Sequence, residues 1–183
     1  MSVATLLTAE QFAEMEFDVP VELVRGEVVE MTRPEPPHGN VCFRVAFQLG
    51  QWALPRKAGE ITTNDSGVIT ERDPDTVRGP DVAFYAASAI PSGKFNRSSR
   101  SLVPTLCVEV LSPSNRWSEI RTKIKEYLAR GVEEVWIVDC ERRTVEVFRS
   151  DLPPVEFEQD AQLVSGALPE FTTPVSEFFA GIE

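Results

Sequence analysis

Glu109, Asp81 and Lys123 are the side chains of this 183-residue sequence whose types and surroundings suit metal-assisted chemistry. Glu109 interrupts the apolar run Leu106-Cys107-Val108-Glu109-Val110-Leu111, which reads as a buried strand over 105–111 closed by a Ser-Pro-Ser-Asn turn. An ionised carboxylate in such a strand is costly unless a cation meets it. Two cations fit, a metal ion and Lys123. Asp81 follows Gly79-Pro80 at the start of the strand PDVAFYA, where a first-position proline is tolerated, so its carboxylate projects at the mouth of a sheet. On a helix advancing about 100° per residue, Lys123 borders the apolar stripe between Ile120 and Tyr127, while Lys125 points away. Two acids on adjacent strand ends suit Mg²⁺, which takes oxygen ligands. That ion polarises a phosphoryl oxygen and activates water while an ammonium offsets phosphate charge, which is the chemistry of phosphodiester hydrolysis.

Each of these residues also has a plainer reading. A Pro-Asp pair is a common turn element, a glutamate in a strand can be a structural partner of an arginine, and a lysine on a helix flank can snorkel to solvent.

The composition bounds the function classes. With 42% hydrophobic and 26% charged residues the chain is that of an ordinary globule, long enough to bury roughly 70% of its unfolded surface in one core. No apolar run approaches the roughly 18 residues of a membrane span, and the first residues lack the positive flank of a secretory signal, so a cytoplasmic protein is expected. A net charge of −11 argues against a broad basic surface for nucleic acid, so any DNA binding is expected to be local, weak, metal-assisted or shared between subunits. Cys42, Cys107 and Cys140 have neither disulfide nor zinc-ribbon spacing and read as buried thiols.

The elements that must position the three residues can be read in order. Thr8 with Gln11 resembles a capping box for a helix over 9–16. VELV, Arg25-Gly26 and EVVEM form a hairpin, and the proline-rich stretch 31–37 a rigid connector. Val41, Val45, Leu49 and Trp52 mark one face of a helix over 38–53, with His38 on the same face. A strand over 60–70, the loop ERDPDTVRG and the strand PDVAFYA follow, then a flexible, basic excursion over 87–101 carrying Lys94, Arg97 and Arg100. Ser114 or Asn115 caps a helix with an apolar stripe of Trp117, Ile120, Ile124, Tyr127 and Leu128, closed by Gly131. VEEVWIVD and TVEVFRS form a second hairpin, and the acidic remainder ends in a short docking helix at VSEFF. The pattern is a mixed α/β, or α+β, domain with a central sheet and helices on its faces.

The ordered series ELVRGEVVEM, His38, GPDVAFY, VEVLSPSN and Lys123 with KEYLARGVEEVWIVD closely resembles the Uma2 family of restriction endonucleases, a branch of the PD-(D/E)XK nuclease superfamily. The resemblance spans roughly 16 to 179 and implies, over 1–183, a single restriction-endonuclease-like core: a mixed sheet flanked by helices, with an N-terminal β-hairpin. It implies a divalent ion, Mg²⁺ or Mn²⁺, held by Asp81, Glu109 and Val110, and a DNA substrate of unspecified strandedness. Asp81 matches the aspartate of the motif and Glu109 its second acid. The lysine departs from the pattern: two residues beyond Glu109 stands Leu111, so the resemblance implies relocation to Lys123. Glu27 matches an early acidic position and would be an outer ligand. His38 would approach the metal or phosphate, or serve as a hydrogen-bonded core histidine.

Other readings are weaker. No G-x-S-x-G elbow supports a serine hydrolase, and one histidine with scattered cysteines leaves no zinc ligand set. A nuclease-like scaffold kept as a binding or regulatory module fits the acidic charge and the displaced lysine, but not the retention of all three residues. A homodimer fits an enzyme that cuts two strands, and the segment 87–101 is the candidate for base contacts.

Overall fold

The computed structural model describes residues 6–113 and 115–183. Thr8 caps α1 (Ala9–Ala13) through the expected reciprocal box with Gln11, although the helix stops short of residue 16. β1 (Val21–Val24) and β2 (Glu27–Glu30) make the expected hairpin, turning at Arg25 and Gly26, both at positive φ. The proline-rich connector ends earlier than expected, because Pro36 and Pro37 open α2 (Pro36–Arg56). A first-turn N–H has no helical partner to lose, and proline's φ is already helical.

β3 (Gly59–Thr63) and β4 (Val68–Glu71) are two strands where the sequence reads as one, parted at Asn64 and Asp65, both at positive φ. The stretch ERDPDTVRG is not all loop: Thr76–Arg78 form β5, buried between β4 and β1. β6 (Val82–Ala86) and β7 (Leu106–Leu111) follow. The chain between them is not a free excursion but three short 3-10 turns, Ala87–Ala89, Pro91–Gly93 and Arg97–Ser101.

α3 (Trp117–Arg130) starts from Arg116 without a side-chain cap and ends at Gly131 with φ of 104°. Asn115 caps the preceding turn instead, its Oδ1 accepting from the Ser112 N–H at 2.7 Å. Ser114 lies outside the described residues. Trp117 is exposed, so the stripe begins at Ile120.

β8 (Glu134–Asp139) and β9 (Thr144–Arg149) form the second hairpin. The acidic remainder is more ordered than its composition implies, giving β10 (Leu152–Phe157), β11 (Gln162–Val164) and β12 (Thr172–Pro174). β10 tolerates Pro153 and Pro154 because it is an edge strand with an irregular register. VSEFF supplies a 3-10 turn, Val175–Phe178, whose Val175 and Phe178 enter the core beneath α2.

Six strands in the order β10-β9-β8-β7-β6-β3 make the central sheet, mixed because β7 and β8 are parallel and every other pair antiparallel. α3 is the crossover between the parallel pair. Side chains alternate across the sheet, so Val108, Val110, Trp136 and Val138 pack with α2 on one face, while Cys107, Val135 and Ile137 pack with α3 on the other. A second sheet, β2-β1-β5-β4, packs with α1 around Leu23, Ile69 and Val77. This is the mixed α/β architecture read from the sequence. Among the described residues no helix is long and apolar enough to cross a membrane.

The α2 packing predicts a sharp contrast along one helix. Leu49 is fully buried and Leu54 is 67% exposed. Leu49→Ala should cost about 2–5 kcal/mol in urea unfolding, and Leu54→Ala should stay within about 0.5 kcal/mol of the parent.

Candidate functional site

Strand alternation and register bring the two acids together. Glu109 shares the α3 face of β7 with Cys107, and Val82 pairs with Val108, so Asp81, one residue before β6, lies opposite Glu109. Asp81 is tied there: its Oδ2 accepts the Val110 N–H at 2.7 Å. The Val110 side chain belongs to the α2-side core, so only its backbone faces the site.

α3 crosses the face that carries Glu109. Lys123 and Tyr127, four residues apart and so on one side of the helix, both reach it: Lys123 Nζ is 3.0 Å from Oε2 and the Tyr127 hydroxyl donates to Oε1 at 2.7 Å. Lys123 is only 7% exposed, so it does not snorkel. Its ammonium also meets Glu22 Oε1 at 2.9 Å. Glu22 takes Arg78 Nη1 at 2.8 Å and the Gly79 N–H at 3.0 Å, and Arg78 in turn grips Glu126 through two bonds of 2.6 and 2.8 Å.

These contacts set the electrostatics. Burial pushes the Glu109 carboxyl up to about 7 against the pull of Lys123, and the Asp81 and Glu22 charges push the same way. Burial would lower the Lys123 ammonium, but Glu109 and Glu22 together raise it above its ordinary range. Burial would raise Glu22, yet Lys123, the Gly79 N–H and Arg78 hold it below the usual carboxylate value.

Asp81, Glu109, Val110, Lys123 and His38 all line one cleft of about 540 Å³. His38, in the first turns of α2, places Nε2 3.3 Å from Asp81 Oδ1, so it is part of the site rather than a core histidine. Glu27 is not brought there. It sits exposed beside the hairpin turn, paired with Val24, while Glu22 at the far end of β1 reaches the cleft in its place. Among the described residues the segment 87–101, the candidate for base contacts, does not line this cleft. That segment leaves the Ala86 end of β6, and Asp81 stands at the other end.

Glu22, Tyr127, Arg78, Asp65 and Cys42 were missed by sequence reasoning. Glu22 carried the signal that marked Glu109, a carboxylate between apolar strand residues in Val21-Glu22-Leu23. Asp65 lines the cleft with its carboxyl raised by burial and then by Asp81. Gly79 lets the two segments meet, since a Cβ there would stand 2.7 Å from the Asp65 Cβ.

The donor set fits a hard divalent cation. Acids line the cleft at Glu22, Glu30, Asp65, Asp81, Glu109 and Glu119, against one lysine, and oxygen ligands are what Mg²⁺ and Mn²⁺ take. Glu109 also has capacity to spare. Each of its oxygens accepts one bond, and an ionised carboxylate offers about four lone-pair sites. The buried Glu134 is the opposite case, its oxygens filled by Trp136, Ser165, Arg149 and Gly166 at 2.7–2.9 Å.

Residues 9–176 match the model of the Uma2 family, described as "Putative restriction endonuclease". No protein of curated function matches the chain. Among solved structures, that of "a putative nuclease belonging to DUF820" from Anabaena variabilis ATCC 29413 superposes with a TM-score of 0.78 at 19% identity, over 94% of this chain and 97% of that one. At that identity the likeness is one of fold.

His38 is the only histidine, so its imidazole can be titrated alone by NMR. Burial would lower it, but the hydrogen bond and charge of Asp81 prevail and raise it above 6.5. Its contribution to stability is therefore present below pH 6.5 and lost as the pH rises through the folded-state value. In Asp81→Asn the burial remains and the charge does not, so the imidazole should titrate at lower pH than in the parent. An unchanged titration would break the His38–Asp81 pairing.

Proposed function

The chain belongs to the Uma2 family, and we propose that it is a metal-dependent endonuclease that hydrolyses phosphodiester bonds in DNA. What carries this reading is the meeting of two strand-end acids and a buried lysine in one open cleft: Asp81, Glu109 and Lys123. On this reading residues 1–183 act as one restriction-endonuclease-like domain.

Asp81 and Glu109, with the Val110 backbone, would hold Mg²⁺ or Mn²⁺. That ion supplies a Lewis acid on the phosphoryl oxygen and a more acidic bound water. The chain's own residues do the rest. Lys123 opposes the rise that burial imposes on the Glu109 carboxyl, and as the one lysine lining the cleft it supplies positive charge for the phosphate in flight. Its position on α3, rather than at Leu111, keeps an ammonium 3.0 Å from the second acid. Tyr127 orients the Glu109 carboxylate through Oε1, the oxygen that Lys123 does not take, and His38 orients Asp81 through Oδ1. The acidic lining otherwise repels a polyanion, so substrate entry depends on the bound cation, in keeping with the net charge of −11.

Glu109→Gln preserves shape and removes the charge. Cleavage of plasmid or single-stranded DNA should fall by roughly 10²- to 10³-fold or more. In parallel, Mg²⁺ or Mn²⁺ should stabilise the parent by about 2.7 kcal/mol at 100 times its Kd and leave Asp81→Ala unmoved. Retained cleavage in Glu109→Gln removes the acid from the mechanism. A parent that neither cleaves nor responds to these ions is a binding scaffold and not a nuclease.

A further inference from the structure

A second set of ligand atoms meets on the α2 side of Asp81. His38 and Cys42 are four residues apart on one helix and so are neighbours on its surface, with Cys42 Sγ 3.4 Å from His38 Nδ1. One donor atom each from His38, Cys42 and Asp81 lie within 4.8 Å of one another. The sequence excludes a zinc set because its histidine is single and its cysteines are scattered. The fold brings Asp81 to the His-x-x-x-Cys pair across 39 residues of chain, the distance from Cys42 to Asp81.

We propose that His38, Cys42 and Asp81 form a binding site for a borderline-soft divalent transition ion of the Zn²⁺ class, which shares Asp81 with the Mg²⁺ or Mn²⁺ site and so competes with it. The geometry supports it. Two ligands at 2.0–2.1 Å from a tetrahedral ion stand about 3.3–3.4 Å apart, and His38 Nε2 and Asp81 Oδ1 are separated by 3.3 Å. Cys42 Sγ stands 3.4 Å from the other ring nitrogen, Nδ1, and within 4.8 Å of the set, so it completes the site by swinging toward the Nε2 side to the ~2.3 Å usual for a zinc–sulfur bond. Binding releases the thiol proton. Three protein ligands leave the fourth position open, the pattern of exchangeable rather than structural zinc sites.

The ligand types set the sites apart. Mg²⁺ avoids sulfur and imidazole, while Zn²⁺ and Co²⁺ favour them. Filling the His38–Cys42–Asp81 site places a second dication on the carboxylate that the Mg²⁺ site uses, so Zn²⁺ opposes Mg²⁺ binding by like-charge repulsion and inhibits the proposed nuclease. This inhibitory consequence rests on the nuclease reading; the binding site does not.

The probe is Co²⁺ added to the metal-free full-length protein. The parent should show a thiolate-to-cobalt band in the near ultraviolet and the strong visible bands of a four-coordinate ion, both displaced by Zn²⁺. Cys42→Ser and His38→Ala should lose them, with Zn²⁺ affinity down by more than about tenfold, while Glu109→Gln keeps them. Absence of the thiolate band in the parent overturns the proposal, and so does its persistence in Cys42→Ser. Should Cys42→Ser fail to fold, loss of the thiolate band in Cys42→Ala decides the same point. In cleavage assays with Mg²⁺, Cys42→Ser should resist micromolar Zn²⁺ that stops the parent. A cobalt band in a protein that cleaves nothing would leave this site standing and defeat the nuclease reading alone.

Discussion

Five buried charges alternate in sign through the middle of this molecule: Glu126, Arg78, Glu22, Lys123 and Glu109, each 2.6–3.0 Å from the next. Ions taken out of water are held there only by partners of good geometry, and losing one partner strands the other at a cost of about 3–5 kcal/mol. The members come from α3, β5, β1, α3 again and β7, so the chain of charges joins the four-stranded sheet to the six-stranded one through the helix between them. It also fixes the cleft, because Glu22, Lys123 and Glu109 all line it with Asp81. With three acids and two bases the chain carries an excess of one negative charge. Burial raises the Glu109 and Asp65 carboxyls, and the like charge of Asp81 and Glu22 raises both further.

Segments with one buried face were legible from the sequence. α2, α3, β6, β7, β8 and the first hairpin stand where periodicity placed them, since a face of regular spacing has one way to meet a core. The strands that escaped notice are short and owe their existence to distant partners. β5 has three residues and pairs Val77 with Leu23; β11 and β12 find each other across a loop, and β10 carries two prolines. Nothing local in Asp-Pro-Asp or Leu-Pro-Pro announces a strand. The site follows the same rule. Glu109 is visible because a charge breaks an apolar pattern, Asp81 because it follows a proline at a strand start and Lys123 because it borders an apolar stripe, whereas Cys42 fits its helix face and gains significance only once α2 lies beside Asp81.

A carboxylate in an apolar strand is an ambiguous signal, and this protein contains both of its meanings. Glu134 precedes Val135 and Trp136 much as Glu109 precedes Val110 and Leu111, and both are buried. Glu134 is fully exposed to donors and closed to solvent: four groups fill its oxygens within the core, one of them the guanidinium of Arg149. Glu109 accepts a single bond on each oxygen and faces a cleft. The arginine-paired structural glutamate weighed for Glu109 exists, but at position 134. Only donor saturation and access separate the two, and both are tertiary properties.

The proposed placement of the lysine follows from the same geometry. Residues two apart on a strand share a face, so a lysine at 111 and a lysine on the helix covering that face address the same acid. Leu111 packs against the cluster of Ile120, Ile124 and Tyr127, and an ammonium there would face apolar side chains of the helix that seals the sheet. From α3 the charge instead enters beside Glu22, which compensates it at 2.9 Å. An ammonium on α3 thus reaches the acid from outside its own strand, and the second carboxylate at Glu22 offsets the cost of burying Lys123.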